Sequence, residues 1–165
     1  MMQILKMVAI GAIVLAFAGC QETQSQAVQV ANQGLAQMMA ASQITDTIGM
    51  LLNGERSARG LSLVRPSAQL ARVALGHAQD MEQRDFFSHV SSNGRTLAAR
   101  ARAAGYGFCF IAENIAQGQD TVAEVHVEWM NSQGHRDNNL SPNVTEFGIA
   151  LVDDSWVLVL GKDGC

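Results

Sequence analysis

The stretch from Phe108 to Ala116 constrains this chain more than any other part of the sequence. Aromatic and β-branched residues dominate it, and glycines lie near both of its ends, a pattern typical of a strand. Glu113 stands in the middle of this stretch with apolar neighbours on both sides. Because a buried carboxylate is costly unless it is paired or hydrogen-bonded, Glu113 needs partners from elsewhere in the chain. The segments around His89 and His135 are the candidates to supply them.

Two apolar runs near the end of the chain predict two more strands, at residues 147–152 and 156–161. Asp153, Asp154 and Ser155 between them indicate a hairpin turn. The runs are almost continuously apolar, which is typical of a sheet that is covered on both faces. Helices before and between the strands can provide that cover, so we expect an α+β fold, a three-layer α-β-α sandwich with a mainly antiparallel central sheet.

Helical periodicity predicts four helices. The first begins near residue 44 and ends at Gly60, the second and third span about 68–84 and 96–104, and the fourth runs from a cap at Asp120 or Thr121 to near Ser132. Ser42 or Thr45 is expected to begin the first helix, and Ser67 the second. Residues 134–139 are expected to form a turn and a polar loop after the fourth helix. His77 and His126 fall on the apolar faces of the second and fourth helices, which indicates structural residues rather than ligands.

The N-terminus has the form of a targeting segment. A single positive charge, a short apolar run and small residues lead to Cys20, which is typical of a signal peptide. The end of this segment resembles a bacterial lipoprotein signal, so we predict a signal peptide at 1–19 and lipidation of Cys20. Ordinary secretion with cleavage near Cys20 and an uncleaved anchor are the alternatives. All three place the protein outside the cytoplasm, and a lipid anchor would make the membrane a partner.

Residues 20–41 are rich in Gln and Ala and are interpreted as a tether or a weak helix, and residues 42–165 as the folded domain. The formal net charge of -4 and the lack of a basic cluster argue against a nucleic-acid partner. Lipidation of Cys20 would leave Cys109 and Cys165 as a pair. A disulfide between them is expected in an oxidising compartment, with two free thiols as the alternative.

His89, Glu113 and His135 permit three interpretations. Two imidazoles and one carboxylate can hold Zn²⁺ with one open position. They can also serve as acid–base partners in hydrolysis, with water or Ser88 as the nucleophile. The third interpretation is a hydrogen-bonded network that holds loops together.

Five short motifs carry a resemblance to a known family. In chain order they are Phe87-Ser88-His89, Gly105-Tyr106, Ala112-Glu113-Asn114-Ile115-Ala116, Trp129-Met130-Asn131-Ser132 and Gly134-His135-Arg136. Together and in this order they resemble the bacterial branch of the CAP superfamily, the SCP-like extracellular domain. That superfamily groups cysteine-rich secretory proteins, antigen 5 and plant pathogenesis-related proteins. The resemblance covers about residues 44–161.

The resemblance implies an α-β-α sandwich with a large central cavity lined by two histidines and two acidic residues. His89, Glu113 and His135 match three of these four positions, and Ser132 stands where animal and plant members have the fourth acid. A mechanism that needs paired carboxylates is therefore not implied, whereas a metal site built on the two histidines is. Family members are assigned to lipid or sterol binding, channel blocking, defence and proteolysis, so the fold leaves the activity open.

We favour a binding or interaction module whose cavity takes a divalent metal such as Zn²⁺, a small ligand or a component of the cell envelope. One alternative is a metal-assisted hydrolase acting on peptide or cell-wall material, with His89 and His135 as ligands and Glu113 as ligand or general base. Another alternative is a lipid or sterol carrier. The sequence leaves open whether the protein is an enzyme.

Overall fold

The computed structural model of the protein describes residues 18–164, with side chains described from residue 26 onward. The described residues fall into two compact units, one that ends at residue 37 and one that begins at residue 38. In the first unit the described residues are helical, and in the second, helices lie on a four-stranded sheet. The signal peptide predicted at residues 1–19 lies almost entirely outside the described residues.

The first helix, α1, spans Ala18–Ser57 and is far longer than the sequence predicted. The expected start at Ser42 or Thr45 is wrong, because the helix runs through both residues. The Thr45 hydroxyl donates to the carbonyl of Ala41 at 2.9 Å, so it bonds back to the preceding turn instead of capping a new one. None of the helices within residues 18–164 has both the length and the apolar character needed to cross a membrane.

The sheet has the strand order β1-β3-β4-β2. Its strands are β1 (Arg65–Pro66), β2 (Phe108–Gln117), β3 (Glu146–Val152) and β4 (Ser155–Asp163). β4 pairs antiparallel with both β2 and β3, and β1 adds a short parallel edge to β3. The expectation of a mainly antiparallel sheet is confirmed, and the sequence did not indicate β1. Pro66 is compatible with this position, because an edge strand does not need every backbone donor.

Both faces of the sheet are covered, as the continuous apolar runs predicted. Side chains of β4 alternate between two cores: Trp156, Leu158 and Leu160 belong to one, and Val157 and Val159 to the other. The first core is completed by the end of α1 and by α4 (Val122–Asn131), and the second by α2 (Ala68–Arg84) and α3 (Leu97–Ala103). The three-layer α-β-α sandwich is therefore confirmed.

Local signals in the sequence account for α2 and α4. Ser67 caps α2 by accepting from the amide of Leu70, as predicted. Thr121 and Glu124 form a reciprocal capping box at the start of α4. Gly148 lets α2 lie close to β3, since a Cβ at this position would sit 2.1 Å from the backbone nitrogen of Ala71.

The polar loop expected at residues 134–139 is a helix. α5 spans Gln133–Asn139 and packs against α4 and β2. Its N-cap, Ser132, makes no side-chain capping bond. The hydrogen bonds that hold α5 come from other parts of the chain, which explains why the local sequence did not predict it.

Candidate functional site

Glu113 lies in the middle of β2, opposite Val159 of β4, and its side chain is only 2% exposed. His89 comes from the loop that follows α2, and its Nδ1 lies 2.9 Å from Oε1 of Glu113. The His89 side chain is 56% exposed. The structure thus brings together two of the three predicted residues as a buried carboxylate and an exposed imidazole.

Arg100 is the partner of Glu113 that the sequence reasoning missed. It lies on α3, its side chain is 9% exposed, and its Nη2 lies 2.5 Å from Oε2 of Glu113. The guanidinium also donates to the carbonyl of His89 at 2.9 Å. Arg100 therefore neutralises the buried carboxylate of Glu113. It also holds the backbone of His89, the residue that contacts the other oxygen of that carboxylate.

His77 fixes the same loop from α2. It is fully buried, with Nε2 2.8 Å from the carbonyl of Ser88 and Nδ1 3.4 Å from the hydroxyl of Ser91. These partners place the proton on Nε2, which donates to the carbonyl, while Nδ1 accepts from the hydroxyl. Burial lowers the pKa of His77, although Glu113, 3.9 Å away, acts in the opposite direction. His77 occupies a structural position, as its place on an apolar helix face indicated.

The loop itself is held at several points. Arg100 donates from Nη1 to the hydroxyl of Ser91 and to the carbonyl of Arg95, both at 3.2 Å. Asp80 accepts from the amide and the hydroxyl of Ser92 at 2.9 and 2.6 Å. The segment that carries His89 is therefore fixed by α2 and α3 together.

His135 lies in α5, which packs against β2, and its backbone carbonyl accepts from Asn114. Burial lowers the pKa of His135, and the nearby His89 lowers it further, while Glu128 raises it. Its Nδ1 is buried and makes no hydrogen bond within the described part of the chain. The charge of His89 thus acts on His135, and within the described residues no hydrogen bond joins the two imidazoles.

An asparagine network places α5 against β2. Asn114 donates to the carbonyl of His135 at 3.0 Å and to Oδ1 of Asn139 at 2.9 Å. Asn138 in turn donates to Oδ1 of Asn114 at 2.8 Å. Asn114 was part of a motif in the sequence, but its role in orienting the His135 segment depends on a helix that the sequence did not predict.

The arrangement around Glu113 does not fit a three-ligand metal site. Across residues 18–164, no three His, Cys, Asp or Glu side chains are grouped so as to hold a metal ion. Both oxygens of Glu113 are already engaged, and a dication there would oppose the charge of Arg100. Coordination of Zn²⁺ by His89 and His135 stays a prediction. Calorimetric titration of Zn²⁺ into the protein and into His89→Ala/His135→Ala tests it.

Two open cavities lie away from these residues. One of about 630 Å³ runs along the exposed side of α4, and one of about 480 Å³ lies between α2 and the 91–95 turn and α3. Neither is lined by His89, Glu113 or His135. The resemblance implied a large cavity lined by these three residues, and neither of these two cavities is that one.

The cysteine predictions fall largely beyond what the structure describes. Cys165 lies outside the described residues, and nothing is described of the Cys20 side chain. Cys109, on β2, is a disulfide-bonded residue rather than a free thiol. The pairing of Cys109 with Cys165 and the lipidation of Cys20 stay predictions.

The protein is an α-β-α sandwich whose central sheet carries the contact between Glu113 and His89. Comparison with known proteins identifies the family to which it belongs. Residues 50–159 match the CAP family, described as the Cysteine-rich secretory protein family, and the chain belongs to it.

The chain is similar to two proteins of Bacillus subtilis strain 168. The first is the uncharacterized protein YkwD, with 36% identity over 65% of this chain and 42% of that protein. The second is the uncharacterized membrane protein YlbC, with 33% identity over 61% of this chain and 29% of that protein. The chain thus spans less than half the length of either relative.

Solved structures agree with the family. An extracellular protein of Bacillus anthracis that contains a SCP domain matches 74% of this chain and 41% of its own, with 32% identity and a TM-score of 0.71. An outer surface protein of Borrelia burgdorferi matches 74% of this chain and 94% of its own, with 19% identity and a TM-score of 0.69. At that identity the second likeness supports the fold alone.

Proposed function

We propose that this protein is an extracytoplasmic CAP-domain binding module that presents His89 and His135 to its ligand. The observation that carries this proposal is the state of Glu113. Its side chain is almost fully buried, with one oxygen on Arg100 and the other on His89, while the His89 side chain is 56% exposed. A carboxylate engaged in this way acts as an anchor, and the exposed imidazole is the group that a ligand can reach.

The location outside the cytoplasm rests on the sequence and on similar proteins. The N-terminal segment has the form of a lipoprotein signal that ends at Cys20. The solved structure that is 32% identical to this chain is described as an extracellular protein. We therefore propose a membrane-anchored lipoprotein whose ligand is a small molecule or a component of the cell envelope.

A hydrolase is the second candidate, and the contact between His89 and Glu113 favours it. A carboxylate on Nδ1 orients an imidazole so that Nε2 can take a proton from water or from a hydroxyl group. Ser88 is a weak candidate for the nucleophile, because its hydroxyl already accepts from the amide of Val90 at 3.1 Å. Water would therefore be the nucleophile in this reaction.

Co-sedimentation with isolated peptidoglycan separates the two candidates. The wild-type protein and His89→Ala/His135→Ala are mixed with peptidoglycan, and the pellet and any released soluble fragments are quantified. A binding module should be retained in the pellet without releasing fragments, and the double variant should lose at least tenfold in retention.

Asn143→Ala, a change at an exposed residue of the loop before β3, serves as the control and should be retained like the wild type. Release of fragments by the wild type but not by the double variant would replace the binding module with a hydrolase. Equal retention of wild type and double variant would show that the two histidines do not form the binding site.

A further inference from the structure

The groove between α2 and the 91–95 turn and α3 contains an unusual share of the positive charge of the molecule. Its cavity of about 480 Å³ is lined by Arg72, Arg84, Arg95 and Arg100, which we call the arginine groove. The whole chain has only 11 lysine and arginine residues and a net charge of -4. Four cations of an acidic protein therefore border one open depression.

Two of the four arginines are paired with carboxylates, Arg84 with Asp80 and Arg100 with Glu113, and within the described residues the other two are not. Asp80 is the one acidic residue in the lining, and it pairs with Arg84 at 3.3 Å. Arg72 and Arg95 form no ion pair within residues 26–164 and are exposed. The groove therefore keeps two free guanidinium groups, which bind the oxygens of phosphate and carboxylate in a forked geometry.

The surroundings of Asp80 favour the ionised form of its side chain. Burial acts to raise the pKa of Asp80, but the hydrogen bonds from Ser92 and the charge of Arg84 outweigh this and lower it. Its carboxylate thus holds the turn and Arg84 in place and does not compete as a free anion in the groove.

Arg100 lines the inner wall of the groove. Its side chain is 91% buried, given an exposed fraction of 9%, and its Nε is buried without a hydrogen-bond partner in the part of the chain that the structure describes. The buried position of Arg100 therefore adds a fixed positive charge to the inner wall of the groove.

Neutral hydrogen-bonding groups lie beside the arginines. The lining also includes three amide side chains, Gln79 and Gln83 of α2 and Asn93 of the turn, and the hydroxyl of Ser91. Arg72, Gly76, Gln79 and Gln83 recur at helical spacing on one face of α2, and a Cβ at Gly76 would meet nothing within 4 Å, so the floor is open there. Amide side chains both donate and accept, which suits the hydroxyl groups of a sugar or polyol.

We propose that the arginine groove binds a phosphate group carried on a hydroxyl-rich chain, that is, a sugar phosphate or polyol phosphate. Arg72 and Arg95 take the phosphate oxygens, and the amides of Gln79, Gln83 and Asn93 take the hydroxyl groups. The lining of the groove includes neither His89 nor His135. Substitutions at these histidines and at Arg72 and Arg95 therefore test the two sites separately.

Calorimetric titration of glycerol 3-phosphate into the full-length protein tests this proposal. Saturable binding is expected, weakening as salt is raised, and at least tenfold weaker in Arg72→Gln/Arg95→Gln. The matched control, Arg102→Gln/Lys162→Gln, removes the same charge at two exposed residues that do not line the groove and should bind like the wild type. His89→Ala/His135→Ala should also bind like the wild type.

Two further probes define the ligand. Inorganic phosphate should bind at least several-fold more weakly, and equal binding would overturn the part of the proposal that concerns hydroxyl groups. A poly(glycerol phosphate) chain that binds more tightly than the monomer would point to an envelope polymer, and tighter binding of the monomer to a free metabolite. No saturable binding by the folded wild type, or an equal loss in both double variants, would overturn the proposal.

Discussion

At the scale of single residues, the partners of Glu113 offset the free-energy cost of burying its carboxylate. Glu113 stands among apolar neighbours on β2 and is 2% exposed on its side chain. Arg100 and His89 occupy its two oxygens, and the same Arg100 binds the backbone of the His89 loop. The need for partners could be read from the sequence, and so could His89 as one of them.

Replacing Arg100 with Gln should strongly destabilise the protein. The change leaves the Glu113 carboxylate buried without its cation, which costs about 3–5 kcal/mol in comparable pairs. Urea unfolding followed by circular dichroism measures the loss in the free energy of unfolding. The control is Arg102→Gln on the same helix, where an exposed guanidinium lies 4.9 Å from the ring centroid of Phe108. It should cost about 0.5–1 kcal/mol.

A double substitution provides the stricter test of this pair. Glu113→Gln/Arg100→Gln removes both charges, so it should be less destabilised than the sum of the two single changes. A purely additive result would mean that the ion pair does not stabilise the fold. Arg100 and Arg102 are equivalent in sequence, both set among alanines. Only the docking of α3 on the sheet decides which of them faces Glu113, so the sequence could not identify the partner.

At the scale of elements, local signals account for some helices and not for others. α2 has an N-cap and a periodic apolar face, and both were legible in the sequence. α5 has neither: its residues Gln133–Asn139 include Gly, Asp and two Asn, which are weak helix formers, and seven residues are too few for a helix to be stable alone. Its formation depends on partners that are distant in sequence.

Arg56 is one of those partners. It is fully buried and donates to four backbone carbonyls, those of Ser62, Asn139, Ser141 and Val144, at 2.8 to 3.2 Å. Asn139 is the last residue of α5, and Ser141 and Val144 belong to the segment that follows it. A single side chain thus ties the end of α1 to the end of α5.

Replacing Arg56 with Met should loosen α5 before the rest of the fold. The buried carbonyls of Asn139 and Val144 would lose their donor, and each unsatisfied buried group costs about 1–3 kcal/mol. The carbonyls of Ser62 and Ser141 are only partly buried and should cost less. Relative to the wild type, hydrogen exchange in the variant should become faster in α5 by a larger factor than in β4. The free energy of unfolding should also be lower. Arg59→Met is the control, since its exposed pair with Glu55 contributes little. Unchanged exchange in α5 would mean that Asn114 and its neighbours hold the helix without Arg56.

At the scale of the whole molecule, the fold class was predictable because β4 is apolar on both sides. Trp156 and Leu158 belong to one core and Val157 to the other, so a sheet covered on one face only could not bury them. The short strand β1 was not predictable, because two residues with a proline carry no periodic signal. The position of His135 depended in the same way on α5, which is held by contacts distant in sequence.

The buried histidines of both layers predict how the stability of the whole molecule depends on pH. Burial lowers the pKa values of His77, His126 and His135 in the folded state, whereas a histidine in the unfolded chain titrates near about 6.5. As the pH falls below about 6.5, the unfolded chain takes up protons that the folded protein does not. Stability should therefore fall with the pH, by up to about 1.4 kcal/mol per pH unit for each such histidine, until the folded pKa values are reached.

Urea unfolding between about pH 8 and pH 5 measures this dependence of stability on pH. His126→Gln removes one of the three histidines and should reduce the slope by the contribution of one proton. A stability that stays constant or rises as the pH falls from 7 to 5 would mean that these imidazoles accept protons as readily in the folded protein as in the unfolded chain.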